Sequence, residues 1–236
     1  LKDINHFRRT KEVSQESIMN TLGLIFSYVL VFFIIGLSTL LQHKKILNEE
    51  GARKFIHIGV SNWWILAMIF FKGPDSLWFA MVPPITFIGL NYLSYRQNIF
   101  KAMERGGSGN LGTVYFPISL LILVIVSFGI LNEPYIGGLG ILILGYGDGL
   151  AAVIGKKYGK HKFIFGKTLE GSITMFTVSL TVSVILLSVQ GFPSVFLASL
   201  LVALIATVVE LMTPKGLDNL SVPLLTTLLF YFIFLI

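Results

Sequence analysis

Residues 111–154 read LGTVYFPISLLILVIVSFGIL-NEP-YIGGLGILILGYGDGLAAVI, two apolar runs (111–131 and 135–154) divided by Asn132-Glu133-Pro134. A hydrocarbon layer of about 30 Å takes roughly 20 apolar residues in helix, so each run matches one crossing of a bilayer. The Asn-Glu-Pro break is turn chemistry. Six more runs of similar character flank this pair, at 18–41, 55–71, 77–95, 172–190, 192–212 and 220–236. Their breaks, such as Gly73-Pro74-Asp75 and Gly191-Phe192-Pro193, are built alike. The pattern predicts an all-α polytopic membrane protein of about eight transmembrane helices. One membrane domain, 18–236, follows a polar arm, 1–17, read as interfacial or loosely ordered. The chain starts at Leu1 and stops inside an apolar run at Ile236, so both ends are expected to be trimmed or incomplete.

Composition supports the same solvent. Of 236 residues, 54% are hydrophobic and 13% charged, where a soluble domain carries about 25% charged residues. Cysteine is absent, which excludes disulfides, thiolate metal sites and a cysteine nucleophile. The net charge of +6 does not point to nucleic acid, because the basic residues sit in short loops between apolar runs. Loops 42–54, 95–110, 155–171 and 213–219 are basic, whereas the opposite loops hold only Lys72. The positive-inside rule puts the basic set in the cytosol. The arm, with Lys2, Arg8, Arg9 and Lys11, then falls outside, against the trend of its own charge.

The chemistry concentrates in 145–172, GYGDGLAAVIGKKYGKHKFIFGKTLEGS. Asp148 stands within an apolar run, and a carboxylate at membrane depth is costly unless paired, hydrated or bound to metal. Gly145, Gly147 and Gly149 leave room for a backbone or a ligand to approach. Lys156, Lys157, Lys160, Lys162 and Lys167 then crowd one short loop, with Gly155, Gly159 and Gly166 between them. A solvated positive-inside loop would explain the lysines alone. It does not explain the glycine punctuation, nor Lys167-Thr168-Leu169-Glu170-Gly171-Ser172 opening a helix whose N–H groups favour anions. The spacing is not that of a P-loop: one residue too many separates Gly149 from Gly155, and Lys157 stands where Ser or Thr should.

Gly147-Asp148-x-x-Ala151-x-x-x-Gly155-x-x-x-Gly159, followed by the Lys-Thr-x-Glu-Gly-Ser stretch, resembles the CTP-dependent lipid kinases of phytol, dolichol and diacylglycerol. It is also similar to CDP-diacylglycerol synthase, but the C-terminal signature of that enzyme is missing. Arg53-Lys54-Phe55-Ile56-His57 resembles the Arg-Lys-x-x-His motif of phytol kinases. Glu210, with Asp218-Asn219 and Pro223, resembles their late acidic segment. The likeness spans about residues 50–225. By their own spacing Arg53 and His57, at i and i+4, share a helix face.

The resemblance implies a kinase with cytosolic nucleotide-binding loops, passing the γ-phosphate of CTP, or of ATP, to an isoprenoid alcohol or diacylglycerol. Mg²⁺ is expected on Asp148, with Asp218 or Glu210 as further ligands. Lys156, Lys157, Lys160 and Lys167 are expected to grip the triphosphate, with Arg53, Lys54, Gly147, Gly155, Gly159, Thr168, Gly171, Ser172 and Asn219 around it. Glu170 is expected to orient the loop. A carboxylate, or His57, is expected to take the hydroxyl proton from a lipid arriving sideways. The glycine-rich stretch 105–113 reads equally as a phosphate cradle and as a flexible connector. The aromatic residues read as interfacial anchors. Two other readings stand beside this one: a cytidylyltransferase using the same loop, and an ion-coupled transporter using Asp148 and Glu210, for which no duplicated halves are visible.

Overall fold

The computed structural model describes residues 2–97 and 111–235. Their backbone is helical almost throughout, and among them there is no strand beyond one isolated antiparallel bridge, Lys162 to Thr168. The elements are α1 (Lys2–His43), α2 (Glu49–Ser61), α3 (Trp63–Phe70), α4 (Ser76–Gln97) and α5 (Gly112–Val124), which runs on as a π-helical turn, Ile125–Ile130. After them come α6 (Pro134–Leu142), a second π segment (Ile143–Asp148), α7 (Gly149–Tyr158), α8 (Leu169–Val189), α9 (Val195–Met212) and α10 (Asp218–Phe234).

Six of the described helices or helix series are long and apolar enough to cross a bilayer: Ser14–His43, Ser76–Gln97, Gly112–Ile130, Pro134–Tyr158, Leu169–Val189 and Val195–Met212. The last apolar run is α10, which is slightly shorter. The run at 55–71 does not form one helix. It breaks at Asn62, whose side-chain amide donates to the carbonyls of Ile58 and Gly59 at 3.0 and 3.2 Å. Asn competes for helix carbonyls in this way wherever its side chain turns back on the backbone. Tyr146 fixes the rotamer by donating its hydroxyl to Asn62 Oδ1 at 2.7 Å.

The polar arm is helical and continuous with the first apolar run. Asn20 exchanges hydrogen bonds with the backbone of Lys72, at 3.0 and 2.8 Å. The amino end of α1 therefore lies at the Lys72 end of the bundle, opposite the basic loops.

The helix series 134–158 is the centre of the bundle. Its most apolar stretch is 78% buried, where those of the other five spans reach 50% at most. Glycines let neighbours close in: a Cβ on Gly145 would lie 2.0 Å from Ser61 Oγ, and one on Gly147 would lie 2.7 Å from Met175 Sδ. The π segment ends on Asp148, and such widened turns are frequent at functional sites. Trp63, Trp64, Leu139, Ile143 and Leu144 fill the surrounding core.

Candidate active site

Five charged side chains from five stretches of sequence are buried together at the basic end of the bundle: Lys54, Asp148, Lys167, Glu210 and Asp218. Lys54, on α2, donates to Asp148 Oδ2 at 2.6 Å. His57, one turn further on, places Nε2 3.5 Å from the same oxygen, packs edge-on against Phe116, and leaves Nε2 without a hydrogen-bond partner among the described residues. Lys167 donates to the Glu210 carbonyl at 2.6 Å, pairs with the Glu210 carboxylate, and lies 3.6 Å from Asp218 Oδ2. Asp218 is held at the start of α10 by the N–H groups of Gly216 and Asn219, at 2.9 and 3.1 Å. Asn219 in turn donates to the Gly112 carbonyl at 2.8 Å, tying α10 to α5.

The segment between α7 and α8 is a small hairpin. Phe163 N–H donates to Lys167 O at 2.7 Å, and Leu169 N–H donates to His161 O at 2.9 Å. The turn closes through Lys167 N–H to Ile164 O at 3.2 Å, with Phe165 and Gly166 both at positive φ, as a tight two-residue hairpin turn demands. Thr168 caps α8 by accepting from Gly171 N–H at 3.1 Å, the usual way to satisfy a first-turn donor. Ser172 Oγ, in that first turn, is buried with no partner among the described residues.

Two cavities open on this cluster. The polar one is walled by Gly155, Lys156, Gly159, Lys162, Gly166, Lys167, Thr168, Gly171 and Ser172 of the hairpin region, with Glu50, Glu210 and Lys215. The apolar one is walled by Val31, Ile56, Val60, Trp63, Pro83, Phe87, Phe116, Pro117 and Leu120, with Arg53, His57, Asn91 and Asn219 at its polar end. Lys54, Asp148 and Asp218 belong to both walls. Three carboxylates against two lysines leave the cluster one negative charge in excess, so it suits a cation shared with an anionic ligand.

The expected site residues fall into two groups. Arg53, Lys54, His57, Asp148, Gly155, Lys156, Gly159, Lys167, Thr168, Gly171, Ser172, Glu210, Asp218 and Asn219 all line one or both cavities. Gly147 instead packs on Met175 and Ser179 of α8. Lys157 lies over the Tyr158 ring, Lys160 is exposed, and Glu170 pairs outside the cavities with His161 at 3.0 Å. Residues 105–110 of the glycine-rich stretch lie outside the described residues, while Gly112 and Thr113 line the apolar cavity. Sequence reasoning passed over Lys215 and Glu50, and counted Lys162 among the loop lysines without placing it at the phosphates. Lys215 stands three residues before Asp218, and its Nζ would be 3.7 Å from a Cβ on Gly166. Glu50 bridges Lys156 and Arg53, the latter at 3.5 Å. Among the described residues no three His, Asp or Glu side chains gather closely enough to hold a metal by themselves.

Fold and site together define a polytopic helical membrane protein in which a polar and an apolar chamber meet at one buried ionic cluster. The chain is 32% identical to the phytol kinase of Synechocystis sp., over 81% of this chain and 82% of that one. It is 31% identical to the probable chloroplastic phytol kinase 1 of Oryza sativa subsp. japonica, over 88% and 71%. With the chloroplastic phytol kinase 1 of Arabidopsis thaliana it shares 28%, over 82% and 70%. No family model matches the chain, and no solved structure does. The chain belongs to the phytol kinase family.

Proposed function

We propose that this protein transfers the γ-phosphoryl group of CTP to the hydroxyl of an isoprenoid alcohol of the phytol type, with Mg²⁺, at the cytosolic face of the membrane. The observation that carries this reading is the shared wall: a chamber lined by lysines and a helix start meets a chamber lined by apolar groups at Lys54, Asp148 and Asp218. Phosphoryl transfer asks a protein mainly for positioning and charge neutralisation. Lys156, Lys162, Lys167 and Lys215 supply the charge on the donor side, and the unpartnered Ser172 hydroxyl supplies a phosphate contact.

The donor set suits Mg²⁺, which is commonly held by one or two carboxylates plus phosphate oxygens. Asp148 and Asp218 would hold it, and it would neutralise charge on the phosphates. The choice of CTP rests on the resemblance carried by Lys167, Thr168, Glu170, Gly171 and Ser172. On the acceptor side the alcohol lies in the apolar chamber with its hydroxyl at His57 and Asp148. His57 Nε2 accepts the hydroxyl proton as the oxygen attacks phosphorus and the bond to the departing nucleoside diphosphate breaks. The basic loops that carry the site support the cytosolic orientation.

The test is incubation of the purified protein with Mg²⁺, vesicles containing phytol, diacylglycerol or phosphatidic acid, and CTP labelled at the α or γ position. Label from the γ position appearing on phytol is the expected result. Label from the α position on phosphatidic acid would mean nucleotidyl transfer, and transfer to diacylglycerol alone would overturn the isoprenoid reading.

A further inference from the structure

The apolar chamber is too shallow for the alcohol proposed to occupy it. Along α5 its wall runs from Gly112 at the polar end to Leu120 at the floor, beside the fully buried Trp63. That span of eight residues is about 12 Å at helical rise. A chain of several isoprene units with its hydroxyl at Asp148 must therefore leave the chamber through a side wall.

One side wall is made by Val31 of α1 with Pro83 and Phe87 of α4. Outward from Phe87 the seam between these helices is filled by rings: Tyr28 and Phe32 lie 5.9 and 6.1 Å from Phe87, centroid to centroid, and 6.5 Å from each other. Phe32 is exposed on the outer face of the bundle, and Tyr28 Oη is latched to Thr86 Oγ1 at 2.8 Å. A continuous aromatic path thus joins the chamber to the surface that meets lipid. The backbone on both sides of the path is yielding. Pro83 and Pro84 have no N–H to give the carbonyls four residues back, which loosens and bends a helix. A side chain on Gly36 of α1 or Gly89 of α4 would meet nothing within 4 Å, so neither glycine is there for close packing. Each weakens its helix relative to alanine.

We infer that the α1/α4 seam is the subsite for the tail of the acceptor: one elongated apolar chain passes between Tyr28, Phe32 and Phe87 and ends in the bilayer. The Tyr28–Thr86 hydrogen bond opens to admit it. This inference rests on the acceptor reading of the apolar chamber. It commits the site to single-chain alcohols whose tails extend beyond the chamber.

The chain has no cysteine, so an introduced pair can be linked without background. The variant Tyr28→Cys with Thr86→Cys is placed in vesicles and joined by a short, reducible bis-thiol reagent. Two quantities are followed: loading of a radiolabelled alcohol of four isoprene units, and phosphate transfer to it from γ-labelled CTP. Linking should slow loading of the long alcohol roughly tenfold or more, as expected for a blocked gate, and reduction should restore it. An alcohol of a single isoprene unit, which fits wholly inside the chamber, should load equally well in both states. The pair Phe32→Cys with Phe87→Cys repeats the test should the first pair disturb folding. Unchanged loading of the long alcohol in the linked protein overturns the seam, whatever the kinase activity. Blocked loading with no phosphate transfer in the unlinked protein leaves the seam standing and removes the kinase reading.

Discussion

The two chambers share a wall but are written differently in the sequence. Most of the polar chamber comes from 151–172, one turn of chain around a hairpin. The apolar chamber draws on α1, α2, α3, α4 and α5, from Val31 to Leu120, and on the loop before α10. On the proposed function, the difference follows from what each chamber would bind. Phosphate recognition needs N–H groups, glycines and lysines in fixed register, and a short contiguous segment can hold that register. A lipid tail needs only apolar walls, and those residues are the same ones that meet the bilayer.

The sharpest break in the comparison should come at the shared wall. Asp148→Asn should lower the rate of transfer by about 1000-fold while both ligands still bind, as loss of a group that works in the transition state does. Asp148→Ala adds a folding cost, since it strands Lys54 at 4% exposure. Breaking a buried pair in this way costs about 3–5 kcal/mol, readable as a lower denaturation temperature in detergent. Lys167→Ala acts on the polar side alone. It removes the cation facing Glu210 and Asp218 and should reduce kcat/KM for the nucleotide roughly 100-fold, with KM for the alcohol unchanged. Phe116→Ala is the mirror case. It should raise KM for the alcohol roughly tenfold and leave that for the nucleotide alone. A variant that moved both constants together would merge the two chambers into one. The smallest effect is expected at Glu50→Gln. The Glu50–Lys156 pair is 35% and 60% exposed by side chain, so stability should change by about 0.5 kcal/mol or less.

The contrast also explains how much could be read beforehand. The all-helical membrane fold was legible because apolar runs of bilayer length have few other uses. Gly155, Lys167, Thr168, Gly171 and Ser172, in and around the hairpin, were legible because their punctuation exceeds what a loop needs. The break at Asn62 was not, since the hydrogen bond that fixes it comes from Tyr146, far along the chain. Lys215 looked like an ordinary orientation charge, and only the approach of the α9–α10 loop to Gly166 sets it in the cavity wall. Lys157 and Lys160 had the same local credentials and face elsewhere, because charge in a loop does not state its direction. No pattern announced the apolar chamber. Pro83, Phe87 and Leu120 come to line one cavity only because α4 packs against both α1 and α5.

The central claim is that acceptor and donor occupy separate chambers meeting at Asp148. Photolabelling tests it most directly: a photoreactive isoprenoid alcohol and a photoreactive CTP are each cross-linked to the protein in vesicles, and the labelled peptides are identified by mass spectrometry. The account predicts that the alcohol marks 83–91 and 112–120 and the nucleotide marks 155–172. Both probes marking the same peptides, or the nucleotide marking α4 and α5, would contradict it.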